Sequence, residues 1–392
     1  MDKRKWLVNQ KKCYLIYFLI FLYGCALAWL FYHQALIPVN SSNTFFESDI
    51  PKHIEMSMNG TSYSILNLIF RMFAQSKYMA YLISIFLTII VLCTIFETEL
   101  LLRFILQEKG GGSITWTGAL LCNFIMPAYV SGWGSKRYIS YQSGNMWHNP
   151  TYLVMKCLGI LILYLYFTWE IDSREKLNFG KWTFFSVLLT LCTAIKPSFF
   201  CVFAPVFSLK LLIDFIQRKN SFLNIIRTGS ILIPSCIVIL WQSMILFGDG
   251  TGQGIRIAPF VYLGLRAEKP VLTIICSILF PLVVFLLCIN ISKNDSAYFF
   301  VIGLLLCGFI QAVLLIENGT RMSHGNFIWG YSFTIYIIQV FSFAKWFILC
   351  KTQNKTQLVK IGTAIASVCL IYQSFCGMWF FIHMLQGQTY LM

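Results

Sequence analysis

The chain of 392 residues is 58% hydrophobic and only 11% charged, with a mean hydropathy of +0.70. No water-soluble fold of this length hides so much apolar surface, so lipid must solvate much of it, which excludes a soluble enzyme. The formal charge of +15 punctuates the apolar runs and is not gathered on a polar domain, which speaks against a nucleic-acid partner and marks the basic residues as topology determinants.

The N-terminal "MDKRKWLVNQKKCYLIYFLIFLYGCALAWLFY" joins a basic flank to an apolar run that is too long for a signal peptide and lacks a small-residue cleavage site. Residues 13–32 are therefore expected to stay as a first span. "FFESDIPKHIEMSMNG" (45–60) comes next, with Glu47, Asp49 and Glu55 close together in a chain poor in carboxylates. Pro51 is placed to open a helix with Ile50, Ile54 and Met58 on one face, and "TSYSILNLIFRMF" (61–73) is expected to lie in the membrane interface as a second surface helix. Apolar runs of membrane-crossing length follow at 78–102, 114–130 and 151–169. The long apolar stretch 181–216 is interrupted by "AIKPSFF"; proline cannot continue a helical ladder, so it is expected to break at Lys196-Pro197-Ser198 into 182–195 and 199–216. Further runs at 230–247, 271–291, 298–316, 328–349 and 361–384 bring the expectation to an all-α polytopic bundle of about eleven spans.

With the break at Lys196-Pro197, one side of the membrane receives Lys3, Arg4, Lys5, Lys11, Lys12, Lys109, Arg174, Lys176, Arg218, Lys219, Arg227, Lys293, Lys351, Lys355 and Lys360. The positive-inside rule makes that side cytoplasmic, with the N-terminus inside and the C-terminus external. The external loops, 34–77, 131–150, 248–270 and 317–327, are then the long and chemically mixed ones, so any chemistry faces outward. The 14 cysteines fall almost wholly within apolar runs and are expected to be buried thiols, not a disulfide framework.

Five groups of residues suit chemistry. Asp49, Glu47 and His53 form a carboxylate and imidazole cluster at the membrane surface, suited to taking a proton from a hydroxyl; the alternative is that Ser48 or Asp49 caps the helix opened by Pro51. Lys196 is an ammonium at the outer edge of the hydrocarbon, suited to a lipid-linked phosphate; the alternative is a lysine snorkelling from a kinked helix. In "IENGTRMSHGNFIWGY" (316–331), Glu317, Arg321 and His324 are spaced around a short external turn, where a guanidinium matches phosphate oxygens or Glu317 and Arg321 merely pair. "GDGTGQGIRIAPFVYLGLRAEKP" (248–270) carries Arg256, Arg266 and Lys269 after a glycine-rich start without the GK[ST] ending of a phosphate loop. "SGWGSKRYISYQSGNMWHNP" (131–150), with His148, suits stacking on sugar rings, or membrane anchoring. Glu47 and Asp49 together could hold Mg²⁺ or Mn²⁺ through carboxylate oxygens.

An acidic ESD motif in the first external loop, surface helices after it, a short helix pair turning at Lys196-Pro197 and a long external loop at 248–270 together resemble the GT-C superfamily of integral-membrane glycosyltransferases. The likeness is to bacterial members of surface-polysaccharide assembly in the cytoplasmic membrane. It covers roughly residues 1–270, which would form the core module of a single domain 1–392, with 271–392 adding further helices. It implies a sugar donor carried on polyprenyl phosphate, a glycan or lipid-linked acceptor, and reaction on the non-cytoplasmic face. It also implies Asp49 as base or acceptor-positioning carboxylate with Glu47 behind it, and Lys196, Arg266 and Arg321 as candidates for the carrier phosphate. Two other readings remain open: a polysaccharide polymerase or ligase relying on Arg137, Arg256, Arg266 and His324, and a lipid-linked-sugar flippase. An acyltransferase would instead need His53, His148 or His324.

Overall fold

The structure, a computed structural model, describes residues 3–38, 45–60, 63–107, 112–133, 136, 138–171, 178–248, 253–289, 295–353 and 355–390. Along the chain these form α1 (Lys3–Leu36), α2 (Ile50–Met58), α3 (Ile65–Ala74), α4 (Met79–Leu106), α5 (Gly112–Cys122), α6 (Pro150–Thr168), α7 (Phe179–Ile195) and α8 (Ser198–Ile216). The second half has α9 (Phe222–Gly229), α10 (Ile233–Phe247), β1 (Ile255–Ile257), α11 (Val261–Arg266), α12 (Pro270–Ser277) and α13 (Leu279–Cys288). It closes with α14 (Ser296–Leu314), β2 (Leu315–Glu317), α15 (Ile328–Lys351) and α16 (Gln357–Leu385). The protein is thus an all-α polytopic membrane protein. Among the described residues, eight helical runs are long and apolar enough to cross a bilayer, or nine if α12 and α13, bent by 66°, count as one.

Burial separates the core of the bundle from its lipid face. The spans of α6 and α15 are 72% buried within the chain, whereas that of α9–α10 is only 17% buried and leaves Ile233, Ile237, Leu240, Trp241 and Met244 exposed. An apolar face of this kind is stable where lipid covers it. The core is aromatic: Phe199, Phe203 and Phe207, one helical turn apart on α8, stack with centroids 5.4 Å apart at each step. Phe333 of α15 meets Phe199 edge-on, an arrangement favoured by ring quadrupoles.

The sequence reading and the structure part at 114–130. That apolar run is helical only as far as Cys122, and Ile125–Val130 continues without regular structure. Inside a bilayer such a backbone survives only when protein supplies its hydrogen bonds. Here Asn145 Nδ2 donates to Cys122 O at 2.8 Å and to Ile125 O at 2.9 Å. Gln373 on α16 donates through Nε2 to Met126 O at 3.0 Å, while Met126 N donates to the Gln373 carbonyl at 3.1 Å. The Lys156 ammonium, over the Tyr336 ring, in turn donates to Asn145 Oδ1 at 2.7 Å. The same Gln373 bridges the α12–α13 bend, donating to Cys276 O at 3.2 Å and accepting from Phe280 N at 2.9 Å.

The break between α7 and α8 falls at Lys196-Pro197, as proline requires. The carbonyls it frees are met from other elements: Ser64 Oγ donates to Ile195 O at 2.8 Å, and Gln242 Nε2 lies 3.3 Å from Ala194 O. Antiparallel pairing of β1 with β2, Ile255 opposite Glu317, ties the loop after α10 to the loop before α15.

Gln373 therefore carries three backbone partners that no apolar residue can serve. Gln373→Leu, close in volume, leaves them unpaired at roughly 1–3 kcal/mol each. Thermal unfolding of the purified protein in detergent should shift down by several degrees in this variant; an unchanged midpoint would show that the two breaks are held by other contacts.

Candidate active site

At one end of the bundle the chain encloses a cavity of about 450 Å³. Its walls come from the loop and helix after α1, the segment before α6, the α7–α8 turn, α11, the turn before α15 and the segment after α16. Asp49, His53, His148, Lys196, Arg266, Arg321 and His324, seven residues singled out from sequence, all line it. Glu47 and Glu317 do not appear on its walls. Sequence reasoning missed Lys52, Asn149, Tyr138, Trp329 and Tyr390, which do. Arg137 lies outside the described residues.

Asp49 is the sole carboxylate among the described lining residues, facing Lys52, Lys196, Arg266 and Arg321. It stands at the N-cap position of α2 but makes no side-chain cap; Ser48 Oγ instead accepts from Ile50 N at 3.3 Å. The Asp49 carboxylate turns inward, where Oδ2 accepts from Asn149 Nδ2 at 2.6 Å, and its backbone N donates to His148 O at 3.0 Å. Asn149 serves two ends at once, since its Oδ1 caps α6 through Tyr152 N at 2.8 Å. An Asn-Pro pair opening a helix is a legible N-cap signal, but its second bond, to a residue 100 positions away, is not.

Lys196 does not snorkel outward. Its Nζ lies 3.3 Å from Thr151 Oγ1 and 4.4 Å from the centroid of the Trp329 ring. Burial pushes this ammonium down to about 8; the Asp49 carboxylate pulls it back up, and Arg321 adds to the fall. It still carries its proton at neutral pH. Burial likewise lowers His148 to about 4, against the opposing pull of Asp49, and lowers His53 and His324. The imidazoles in the cavity are therefore neutral at pH 7. His53 Nδ1 lies 3.1 Å from Asn67 Oδ1, a contact that an Nδ1–H tautomer satisfies and that leaves Nε2 as an acceptor.

Arg321 is held by Glu317, with Nε 3.3 Å from Oε1, and Asn326 donates to the other Glu317 oxygen at 2.5 Å. Glu317 thus orients this cation from outside the cavity, on the wall of an adjoining cleft. Arg266 is fixed by its Nη2 donating to Ser323 O at 2.6 Å. A second, more apolar cleft of about 170 Å³ adjoins the cavity, sharing Tyr63, Lys196, Arg321 and Asn326 with it and running on over Pro197, Ile239, Leu246 and Phe247.

The carboxylate pair suggested for Mg²⁺ or Mn²⁺ is divided. Glu47 accepts from the Thr389 hydroxyl while Asp49 faces the cavity. Among the described residues no group of three or more His, Cys, Asp or Glu is placed to hold a metal ion. One carboxylate among four cations is a donor set suited to an anion and not to a divalent cation. No family model matches this chain, and a search of curated proteins returns no match.

Because Lys196 loses its proton near pH 8, anion affinity should be full below that value and fall as pH rises through it, by up to about ten-fold per pH unit. Calorimetric titration of a phosphodiester, whose charge is constant over this range, should show this fall in the wild type and a flat profile in Lys196→Met. Equal pH dependence in both proteins would remove Lys196 from the anion site.

Proposed function

We propose that this protein is an integral-membrane glycosyltransferase of the GT-C type, moving a sugar from a polyprenyl-phosphate-type donor to a glycan or lipid-linked acceptor on the non-cytoplasmic face. The observation that carries the reading is the junction of two clefts. A polar cavity with one carboxylate among four cations adjoins, across the shared Lys196 and Arg321, a more apolar cleft that Glu317 also lines. A donor with a charged phosphate between a sugar and a long hydrocarbon has this sequence of polarities.

In the reaction, Asp49 accepts the proton of the acceptor hydroxyl as its oxygen bonds to the anomeric carbon. The bond from that carbon to the phosphate oxygen breaks, and its electron pair leaves on the phosphate. Lys196 and Arg321 supply positive charge where that negative charge grows, in a site where burial strengthens the attraction. Neutral His53, one helical turn from Asp49, keeps a carboxylate-directed acceptor in place, and Trp329 and Tyr138 on the cavity wall offer aromatic surface to sugars. Arg266 and His324 are additional ligands for donor or acceptor.

The sidedness rests on charge. If the 17-residue α7, the half-helix α5 with its extended continuation, and the bent α12–α13 pair each count as a crossing, the path makes eleven passes. On that path the described basic residues Arg218, Lys219, Lys351 and Lys355 fall on the side away from the cavity.

Arg266 and His324 also favour a second reading, a ligase or polymerase using a lipid-pyrophosphate-linked glycan. The two readings differ in what Asp49 does. In membranes supplied with labelled polyprenyl-phosphate sugars, Asp49→Asn should lower transfer by at least about 100-fold with little change in binding of undecaprenyl phosphate. Arg321→Ala should weaken that binding. Full transfer by Asp49→Asn would overturn the proposal, and a loss confined to Arg321→Ala would favour the ligase.

A further inference from the structure

Glu47 stands two residues from Asp49, yet the two carboxylates are engaged by different parts of the chain. After α16 ends, Gly387 takes a left-handed turn at φ +79, where a Cβ would come within 2.9 Å of the Phe46 ring. Phe46, itself left-handed at φ 52, donates its backbone N–H to Gly387 O at 2.9 Å. Thr389 then donates its hydroxyl to the Glu47 carboxylate. One residue further, the Tyr390 ring lies flat on the His148 imidazole, 3.9 Å between centroids and 5° from parallel, on the cavity wall. His148 and Asn149 are the residues whose carbonyl and amide hold Asp49. The loop 45–49 is thus clamped twice, by 387–389 at one end and by 148–149 at the other, and Tyr390 joins the two clamps.

We propose that Glu47 is a latch and not a reacting group: it fastens residues 386–390 as a wall of the cavity, and Tyr390 acts as a positioning residue that presses the His148–Asn149 corner against Asp49. The proposal rests on the reading of Asp49 as the base. Its geometry, however, stands apart from the identity of the substrate. A left-handed phenylalanine is costly unless the surrounding contacts over-determine it; with Gly387, for which that conformation is easy, Phe46 lets the two segments lie backbone to backbone. A carboxylate used as a hydrogen-bond acceptor is replaceable by an amide oxygen; a general base is not.

That difference makes the test. His148 is faced by the charges of Asp49 and Lys196 and by the rings of Tyr138, Tyr390 and Trp329. In full-length protein with isotope-labelled histidine in lipid nanodiscs, its imidazole should titrate at about 4 in the wild type. Tyr390→Ala uncovers one ring face and Glu47→Ala releases the wall, so in both the titration should move up toward the ordinary histidine value near ~6.5. Glu47→Gln and Tyr390→Phe should keep the wild-type titration. Transfer should follow the same division, falling about ten- to a hundred-fold in the two alanine variants and staying within about two-fold of wild type in the two conservative ones. Binding of undecaprenyl phosphate should be the same in all five proteins. Should Tyr390→Ala fail to fold, Thr389→Val removes the latch from the other side and is expected to match Glu47→Ala. An unmoved His148 titration in the alanine variants, or a Glu47→Gln as impaired as Glu47→Ala, overturns the latch. If the wild type binds no undecaprenyl phosphate and transfers no sugar, the glycosyltransferase reading fails while the histidine titration still decides the latch.

Discussion

A carboxylate at the end of a lipid-embedded bundle keeps its direction only if something fixed holds it, and here that is the 2.6 Å hydrogen bond from Asn149 Nδ2 to Asp49 Oδ2. Asn149 is held in turn because its amide oxygen caps α6, one of the most buried helices. The bond therefore ties the first loop to the centre of the bundle. The backbone contact from Asp49 N to His148 O makes the tie two-point, which sets the angle of the carboxylate as well as its place. Around that fixed acid the chain arranges Lys52, Lys196, Arg266 and Arg321, each delivered by a different segment.

The cations need supports of their own, because a charge half-withdrawn from water is costly unless paired or bonded. Lys196 has Thr151 and the face of Trp329, Arg321 has Glu317, and Arg266 has the Ser323 carbonyl. Glu317 pairs with Arg321 from the adjoining cleft, outside the polar cavity, and so orients the guanidinium while offsetting part of its charge. The consequence is a preorganised, net positive pocket with one carboxylate in it, an electrostatic layout compatible with the proposed leaving-group stabilisation.

Much of this was legible in the sequence, for identifiable reasons. Apolar runs of crossing length announced the bundle, and Pro197 beside Lys196 announced the break between α7 and α8, because proline forbids the alternative. Seven of the residues singled out line one cavity, since charged and imidazole groups between apolar runs are rare in such a chain. The 114–130 stretch was misjudged as a uniform span. Its composition is apolar, but the partners that free its backbone from helix are Asn145 and Gln373, the latter some 247 positions from the carbonyl it serves. Long-range hydrogen bonds leave no local pattern. The same holds for Glu47, whose partner Thr389 is 342 positions away, and for Tyr390, which looked like one more aromatic in a chain with 19 tyrosines.

The central claim is that a phosphate carried on a hydrocarbon chain sits between Lys196 and Arg321, facing Asp49. Electron cryo-microscopy of the protein in nanodiscs loaded with undecaprenyl phosphate tests it directly. The account predicts phosphate density within hydrogen-bonding distance of Lys196 Nζ and the Arg321 guanidinium, with the isoprenoid chain leaving along Pro197, Ile239 and Phe247. A polyprenyl phosphate bound elsewhere on the bundle, with the cavity taken up by another molecule or by water alone, would contradict it.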